Sequence, residues 1–303
     1  EGITGISLSN VAALTEGTIQ SVLGSGMSIA VYDTAHNRID HVWSRTEAGD
    51  ISFTEYNYDS LGKLMFTVSS ASRAAVENLT GITVDNVQTL TAADIDLYLS
   101  AGMSVAVYDT VNNRLDHVWS RDASGAASYT AYHYNTVGEL VYTMTGADRA
   151  QVEAVTGITV DNVSSLTQSD LDIALTAGIS IAVYDLAHDR IDHVWARDEN
   201  GDISFTSYFY DADDELLYTI TGLTRSDVEG VTGISASNID SLTAGEIENI
   251  LSPDMSLAVY DVADNRIEHV WNRSDTGETS FTRYYYNSDD ELAYTVTGET
   301  RTD

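Results

Sequence analysis

Four dipeptides, Asp40-His41, Asp116-His117, Asp192-His193 and Glu268-His269, set a carboxylate beside an imidazole. In a hydrolytic triad that pair supplies the base and the group that fixes its tautomer. Each dipeptide lies in a run rich in Ile, Val and Trp, which reads as a strand. Successive side chains of a regular strand point to opposite faces, so Asp40 is not expected to orient His41. Each candidate residue also returns four times, whereas active sites usually break such symmetry. The expectation is no catalytic residue and no enzyme.

Metal chemistry is read the same way. A ligand cluster needs three or four convergent groups, and one histidine per dipeptide does not supply them. Only a closed four-fold ring would gather His41, His117, His193 and His269. The acidic turns Asp198-Glu-Asn-Gly-Asp202 and Asp211-Ala-Asp-Asp-Glu215 look suited to calcium, yet neither has a full calcium loop with its distal glutamate. The equivalent turn Asp122-Ala-Ser-Gly-Ala126 lacks the carboxylates, and a type I turn accounts for all of them. No cofactor is expected, with weak surface calcium binding the one cation chemistry the charge leaves open.

Twelve of the 13 arginines fall in three recurring positions, those of Arg38, Arg45 and Arg73. Asp33 and Arg38 flank a hairpin, as do Asp109/Arg114, Asp185/Arg190 and Asp261/Arg266. A cross-strand ion pair is expected there, worth at most ~1 kcal/mol when exposed. Arg73, Arg149, Arg225 and Arg301 fall at a predicted helix N-terminus, where positive charge is unfavourable. A compensating acidic partner on a neighbouring unit is expected, which makes these four the candidate inter-repeat contacts.

The tyrosines are the candidate partner-binding residues: Tyr56, Tyr58, Tyr132, Tyr134, Tyr208, Tyr210, Tyr284 and Tyr286. Turn arithmetic sets Tyr58 against Leu64, Tyr56 against Phe66, Arg45 against Ile51 and Trp43 against Phe53. Ile29, Val31, Ile39, His41, Trp43, Ile51 and Phe53 then share one face. Tyr32, Val42, Thr54, Tyr56 and Tyr58 share the other, and a one-residue slip would exchange the sets. The Trp/Ile face is expected to meet the helices. The Tyr/Ser/Thr face either faces a partner or lines the seams between units, since tyrosine suits both settings.

These residues are carried on a repeat. Thr-Gly-Ile recurs at Thr4, Thr80, Thr156 and Thr232, a constant step of 76 residues. The four tryptophans, Trp43, Trp119, Trp195 and Trp271, keep the same step. Ser72 caps a predicted helix over Arg73–Leu79, closed by Gly81. Thr91-Ala-Ala-Asp94 is a capping box that opens a second helix, echoed at Thr167…Asp170 and Thr243…Glu246, and Thr224…Asp227 is a box of the first kind. Strands are expected over Ser104–Asp109, Leu115–Arg121, Ala127–Tyr134 and Leu140–Thr145, joined by turns such as Asp59-Ser-Leu-Gly62 and by Asn37, which tolerates a left-handed backbone. Short loops between successive strands imply an antiparallel meander. The fold class is thus α+β: four tandem repeats (1–76, 77–152, 153–228 and 229–303), each a helix-loop-helix and a four-stranded meander, stacked into an array. Glu1 stands level with Glu77, Glu153 and Glu229 inside the first helical segment, and Arg301-Thr302-Asp303 level with its start. The expectation is an excerpt of a longer array, or ends that complete each other.

Fourteen Lys+Arg against 47 Asp+Glu give a net charge of −33, with no cysteine, one proline and Lys63 as the sole lysine. Such charge repels phosphate backbones and anionic membrane surfaces, and no run of ~18 apolar residues could span a bilayer. Neither nucleic-acid binding nor membrane insertion is expected. The absence of cysteine excludes disulfides and thiolate chemistry.

The segment Val87-Gln-Thr-Leu-Thr-Ala-Ala-Asp-Ile-Asp-Leu-Tyr-Leu-Ser-Ala-Gly102, with the element order, resembles the unit of the beta-lactamase inhibitory protein family. There two tandem helix-loop-helix and four-stranded units grip a partner protein on a concave, aromatic sheet face. This chain has Thr89-Leu90 where that family has Gly-Met, and lacks its disulfides. The resemblance implies a binding surface and not an active site. Tyr56-Asn-Tyr-Asp-Ser-Leu-Gly-Lys-Leu64 is also similar to a hairpin of YD-repeat shell proteins, although ordinary hairpin chemistry explains the string. The composition is associated with large adhesins and matrix proteins of bacteria in marine or salt-exposed settings, where negative charge keeps a chain soluble. The function expected is a secreted or cell-surface structural or adhesive repeat protein, self-associating or binding a surface protein or glycan. A protein- or glycan-binding inhibitor-like module is the alternative.

Overall fold

The computed structural model describes residues 6, 7, 9–287 and 291–301. Glu1, Thr4, Thr302 and Asp303 lie outside the described residues, and with them the expectation about the chain ends.

Among the described residues sixteen strands dominate, with short helices between groups of four. Helix α1 (Glu16–Val22) leads to β1 (Ser28–Asp33), β2 (Arg38–Arg45), β3 (Ile51–Tyr58) and β4 (Leu64–Ser70). Next come α2 (Arg73–Glu77), α3 (Ala92–Tyr98), β5 (Ser104–Asp109), β6 (Arg114–Arg121), β7 (Ala127–Tyr134) and β8 (Leu140–Gly146). The third group is α4 (Arg149–Glu153), α5 (Gln168–Ala174), β9 (Ile179–Asp185), β10 (Arg190–Arg197), β11 (Ile203–Tyr210) and β12 (Leu216–Gly222). The last is α6 (Arg225–Glu229), α7 (Ala244–Ile250), β13 (Met255–Asp261), β14 (Arg266–Arg273), β15 (Thr279–Tyr286) and β16 (Leu292–Gly298).

The strands follow chain order through one 16-stranded sheet, β1 to β16. The expected α+β array of stacked units is therefore corrected to a mostly β architecture, with meanders joined edge to edge. In one junction β4 pairs antiparallel with β5, Phe66 opposite Val107 and Val68 opposite Val105. The helical connection returns the chain to the strand it has just left, which satisfies backbone groups that an isolated meander would leave open. By contact density the chain divides into two compact units. One holds the residues up to Tyr132 with Thr145–Ala154; the other holds His133–Met144 with the residues from Val155 onward.

The helices are too short to persist alone. Helix α3 has seven residues, and its Thr91–Asp94 capping box is formed in both directions. At Thr224 only half the box forms: its hydroxyl accepts from the Asp227 amide and donates to the Asp227 carboxylate. Gly81 stops the chain after α2 at φ +100°, and a Cβ there would lie 2.2 Å from the Tyr98 ring. Packing supplies the rest. Helix α2 sits on β3 and β4, α6 on β11 and β12, and α7 against β15. In the first unit Ile19, Leu23, Trp43, Phe53, Phe66 and Val68 are buried, and in the second Leu171, Trp195, Phe205, Tyr218 and Ile220. The Trp/Phe face meets the helices.

Two bulges change the expected registers. Val31 faces His41 but Tyr32 faces Ile39, so Asp40 is an extra residue of β2. Ile39 thus leaves the Trp43 set and stands opposite Tyr32. Asn57 faces Phe66 while Tyr58 faces Leu64, so Met65 is the extra residue of β4 and Tyr56 faces Thr67, not Phe66. The same shifts recur at β5–β6, β9–β10 and β13–β14, and at β11–β12 and β15–β16.

Candidate binding surface

Opposite the Trp/Phe face, β2, β3 and β4 carry hydroxyls and phenols. Ser44 and Ser52 share a 2.7 Å hydrogen bond between their hydroxyls, and Thr54 and Ser69 one of 2.8 Å. The pattern returns as Ser120–Ser128, Thr130–Thr145, Thr206–Thr221 and Thr282–Thr297. Register explains this ladder: Ser44 stands opposite Ser52, and Thr54 opposite Ser69.

The eight candidate tyrosines all lie on strands and are half-buried. Those of the Tyr58 position are committed locally. The hydroxyls of Tyr58, Tyr210 and Tyr286 donate to the carbonyls of Ile39, Ile191 and Ile267, each at 2.8 Å. Their rings lie under Arg38, Arg190 and Arg266, whose guanidinium carbons are 4.4, 4.3 and 4.5 Å from the ring centres. Burial raises the phenol pKa of Tyr56, with Tyr108 adding to it, and that of Tyr208, with Tyr260 adding. These phenols therefore stay neutral, and each is near enough to a tyrosine of the next strand group, across the β4–β5 or β12–β13 junction, for their charges to interact. Tyr132 and Tyr134 are half-buried on β7. In the second unit a cleft of about 520 Å³ is lined by Leu217, Tyr260, Arg266, Arg283, Tyr284 and Tyr286, among others.

Three of the four candidate inter-repeat arginines find an acid close by. Arg73 meets Glu77 one turn along its own helix at 2.7 Å, and Arg149–Glu153 and Arg225–Glu229 are 2.6 Å apart. The expectation of an acidic partner on a neighbouring unit is corrected: an i,i+4 pair offsets the unfavourable helix end. Their second contact is with backbone. Arg73 donates to the Leu14 carbonyl at 3.0 Å, Arg149 to that of Gln88, and Arg225 to that of Ser164 at 2.7 Å. Both ends of each contact fall in one 76-residue block of the sequence. Arg301 lies over the Phe281 ring, its guanidinium carbon 5.5 Å from the ring centre, and its buried Nη1 has no hydrogen-bond partner among the described residues.

The Arg45 position recurs in the sequence, but its spacing alone assigns it no role. Arg45, Arg121 and Arg197 each donate from Nη1 to the carbonyl that ends a helix, Leu23, Leu99 and Leu175, at 2.8 Å; Arg273 reaches Leu251 in the same way. Each Nε also donates to the glycine carbonyl of the next turn, as Arg121 to Gly125 at 2.8 Å. One guanidinium thus ties a helix C-terminus, a strand end and a turn together, where cations are favoured. The signal was Arg followed four residues on by Gly.

The largest correction concerns Asp-His. His41 Nδ1 is 2.7 Å from the Asp40 carboxylate, and His117–Asp116 and His193–Asp192 are 2.7 and 2.6 Å apart. His269 stands 3.5 Å from Glu268. The alternation argument fails because Asp40 occupies the bulge, which re-aims the extra side chain. A carboxylate only accepts, so Nδ1 is the donor. That hydrogen bond is the main reason the Asp116 and Asp192 carboxyls are held below the usual range, against the opposing effect of burial. On the other side of each ring Nε2 is buried without a partner among the described residues, as is the Nε1 of each tryptophan. The imidazoles instead lean on Phe53, Tyr129, Phe205 and Phe281 at 5.1 to 5.2 Å.

The hairpin ion pairs form at 3.4 Å for Asp33–Arg38, 3.7 Å for Asp109–Arg114 and 3.8 Å for Asp185–Arg190, while Arg266 meets Asp264 at 2.7 Å. In the calcium-like turns the leading carboxylates accept backbone amides: Asp198 from Asn200 and Asp202, Asp211 from Asp213 and Glu215. Among the described residues no three His, Asp or Glu side chains converge as metal ligands.

No family model and no curated protein matches the chain. Among solved structures it is similar to a chain of the crystal structure titled TcdB2-TccC3-TEV, at 13% identity and a TM-score of 0.19. That match covers 90% of this chain and 16% of the other.

Proposed function

We propose that the chain is a structural or adhesive protein of four tandem 76-residue units, secreted or displayed at a bacterial cell surface in a salt-exposed setting, that assembles or binds through its hydroxyl- and tyrosine-bearing sheet surface. The observation that carries this reading is the Ser/Thr ladder, which recurs at matched positions from Thr54–Ser69 to Thr282–Thr297 with a tyrosine two residues on. A surface built the same way at each step suits a partner that is itself repetitive, such as a glycan or another copy, and multiplies weak contacts.

Replacing Tyr56, Tyr132, Tyr208 and Tyr284 together by Ala tests this. Retention on glycan arrays, or self-association seen by light scattering, should fall at least tenfold while tryptophan emission stays unchanged. Undiminished binding by the folded variant refutes the surface. A second reading, a module that grips one discrete protein or glycan, is favoured by the tyrosine-walled cleft at Tyr260, Tyr284 and Tyr286. It predicts a monomer with saturable one-to-one binding that Tyr284→Ala alone abolishes.

A further inference from the structure

The ends of the strand order carry the two halves of a junction that the chain already makes inside itself. Within the first unit, β4 meets β5 through Phe66–Val107, Thr67–Ala106, Val68–Val105 and Ser69–Ser104. Within the second, β12 meets β13 through Tyr218–Val259, Thr219–Ala258, Ile220–Leu257 and Thr221–Ser256. The two registers are the same once the sequence step is allowed for. At the positions of the first halves, β16 carries Tyr294, Thr295, Val296 and Thr297; at those of the second halves, β1 carries Val31, Ala30, Ile29 and Ser28. Strand β16 is last in the sheet order and β1 first.

Exposure at these two strands differs from that at the internal junctions. Tyr294 and Val296 are 57% and 44% exposed, against 7% and 2% for Tyr218 and Ile220. Leu292 is 54% exposed as well. On the other edge Tyr32 is 57% exposed, while Tyr108, Tyr184 and Tyr260 are half-buried. Edge strands are ordinarily blunted by Lys, Pro or inward-pointing charge. Neither Leu292–Gly298 nor Ser28–Tyr32 contains any of these.

We propose that β16 of one copy pairs antiparallel with β1 of a second copy in the β4–β5 register, Tyr294 opposite Val31 and Val296 opposite Ile29, so that chains join head to tail. This deepens the assembly reading and rests on it, but places the joint at the sheet edges and not at the tyrosine face. The joint is heterologous, so each copy keeps one free edge and can add another. Charge sets its conditions. Two chains of −33 repel each other, so pairing should strengthen with salt, as an apolar joint between like charges must.

Sedimentation velocity of the whole chain tests this, from about 0.15 M to about 1 M NaCl, over which the screening length falls from about 8 to about 3 Å. The weight-average mass should at least double with rising salt and protein concentration. Val296→Lys and Ile29→Lys should each stay monomeric; either lowers the net negative charge, so lost association is not added repulsion. An equimolar mixture of the two should give a heterodimer and nothing larger, because each variant keeps one working edge. The heterodimer also shows that both variants are folded. A wild type that stays monomeric throughout overturns the proposal, as does association undiminished in either variant or a mixture without heterodimer. The arms separate the two readings. Association that survives both lysines but is lost with the four Tyr→Ala changes overturns the edge and keeps the face. Association that survives those four changes but is lost with either lysine keeps the edge and overturns the face as the means of assembly.

Discussion

Arg121→Met removes a guanidinium bonded to a helix end and to a turn at once, and the structure sets the size of the effect. Nη1 donates to Leu99 O at 2.8 Å and Asp96 O at 3.3 Å, and Nε to Gly125 O at 2.8 Å. A hydrogen bond from a charged donor contributes about 1.5–3 kcal/mol when buried, and a cation at a helix C-terminus about 0.3–1 kcal/mol. The Arg121 side chain is 21% exposed, so water replaces part of this. A loss of about 2–4 kcal/mol is expected, short of the sum of the separate bonds. Helix α3 cannot hold itself, so the loss should be local first: the Leu99 amide, which donates to Ile95 O at 2.9 Å, should exchange on the order of 30-fold faster or more. Urea unfolding followed by tryptophan emission gives the global value. Arg121→Lys keeps the charge and loses the fork, so it should recover about 0.3–1 kcal/mol. If Lys equals wild type, or Met falls within about 0.5 kcal/mol of it, the latch is not what holds the helix end.

Trp119→Ala, at a side chain with no exposure, should cost about 3–5 kcal/mol in urea unfolding. Tyr210→Phe deletes one hydroxyl bonded to Ile191 O and should cost about 0.5–1.5 kcal/mol by the same measurement, without changing tryptophan emission. Burial, reinforced by the Arg301 charge, lowers the His269 pKa from 6.5 to about 4, so the unfolded chain binds the extra proton between those values. Stability should therefore fall by about 3 kcal/mol as pH drops from 6.5 to about 4, and His269→Phe should flatten that limb in pH-dependent urea titrations. Asp192 has its folded pKa depressed, chiefly by His193, so its contribution is present above the ordinary value near 3.8 and disappears as pH falls through the lowered one. Asp192→Asn should weaken the acid limb below pH 3.8, seen as a smaller change in tryptophan emission on acidification.

What the sequence disclosed is local chemistry. The Thr91–Asp94 box, the left-handed Asn37 at φ 53° and the Asp59–Gly62 turn are each decided by a few neighbouring residues, and each stands where the spacing placed it. The strands of the second group lie within one residue of their expected bounds for the same reason. The bulges were illegible because one inserted residue has no composition of its own. Asp40 and Met65 look like ordinary strand residues, yet they decide which side chains share a face. The β4–β5 pairing was hidden for another reason. The 33 residues between Ser70 and Ser104 separate the partners, and pairing across that distance depends on packing that no short window contains. The Arg45 latch combined both difficulties: its acceptors are backbone carbonyls, which every residue type supplies.

The Asp-His pair follows from how the bulge is built. A bulge strengthens local twist and leaves one residue outside the ladder, and its side chain needs an occupation. Asp40 finds one in the His41 Nδ1 hydrogen, and the same shift brings Asp116 to His117 and Asp192 to His193. The carboxylate keeps contact with water, at 59% exposure for Asp40, while the ring behind it is buried against Phe53. An imidazole on a core face would otherwise bury two polar nitrogens; the bulge satisfies one at the rim and leaves one in the core. Where the contact loosens, at Glu268 and His269, both ring nitrogens are without a hydrogen-bond partner among the described residues, and burial lowers the His269 pKa to about 4. The fourth pair is thus an internal control on the other three. If orientation by the carboxylate is what seats the imidazole, Glu268→Asp should bring His269 toward the 2.7 Å geometry of its counterparts and raise its pKa above about 4, read by the pH dependence of its ring proton shifts. A His269 titration that Glu268→Asp leaves unmoved would mean that the core alone sets the ring, and that the carboxylate is a passenger of the bulge.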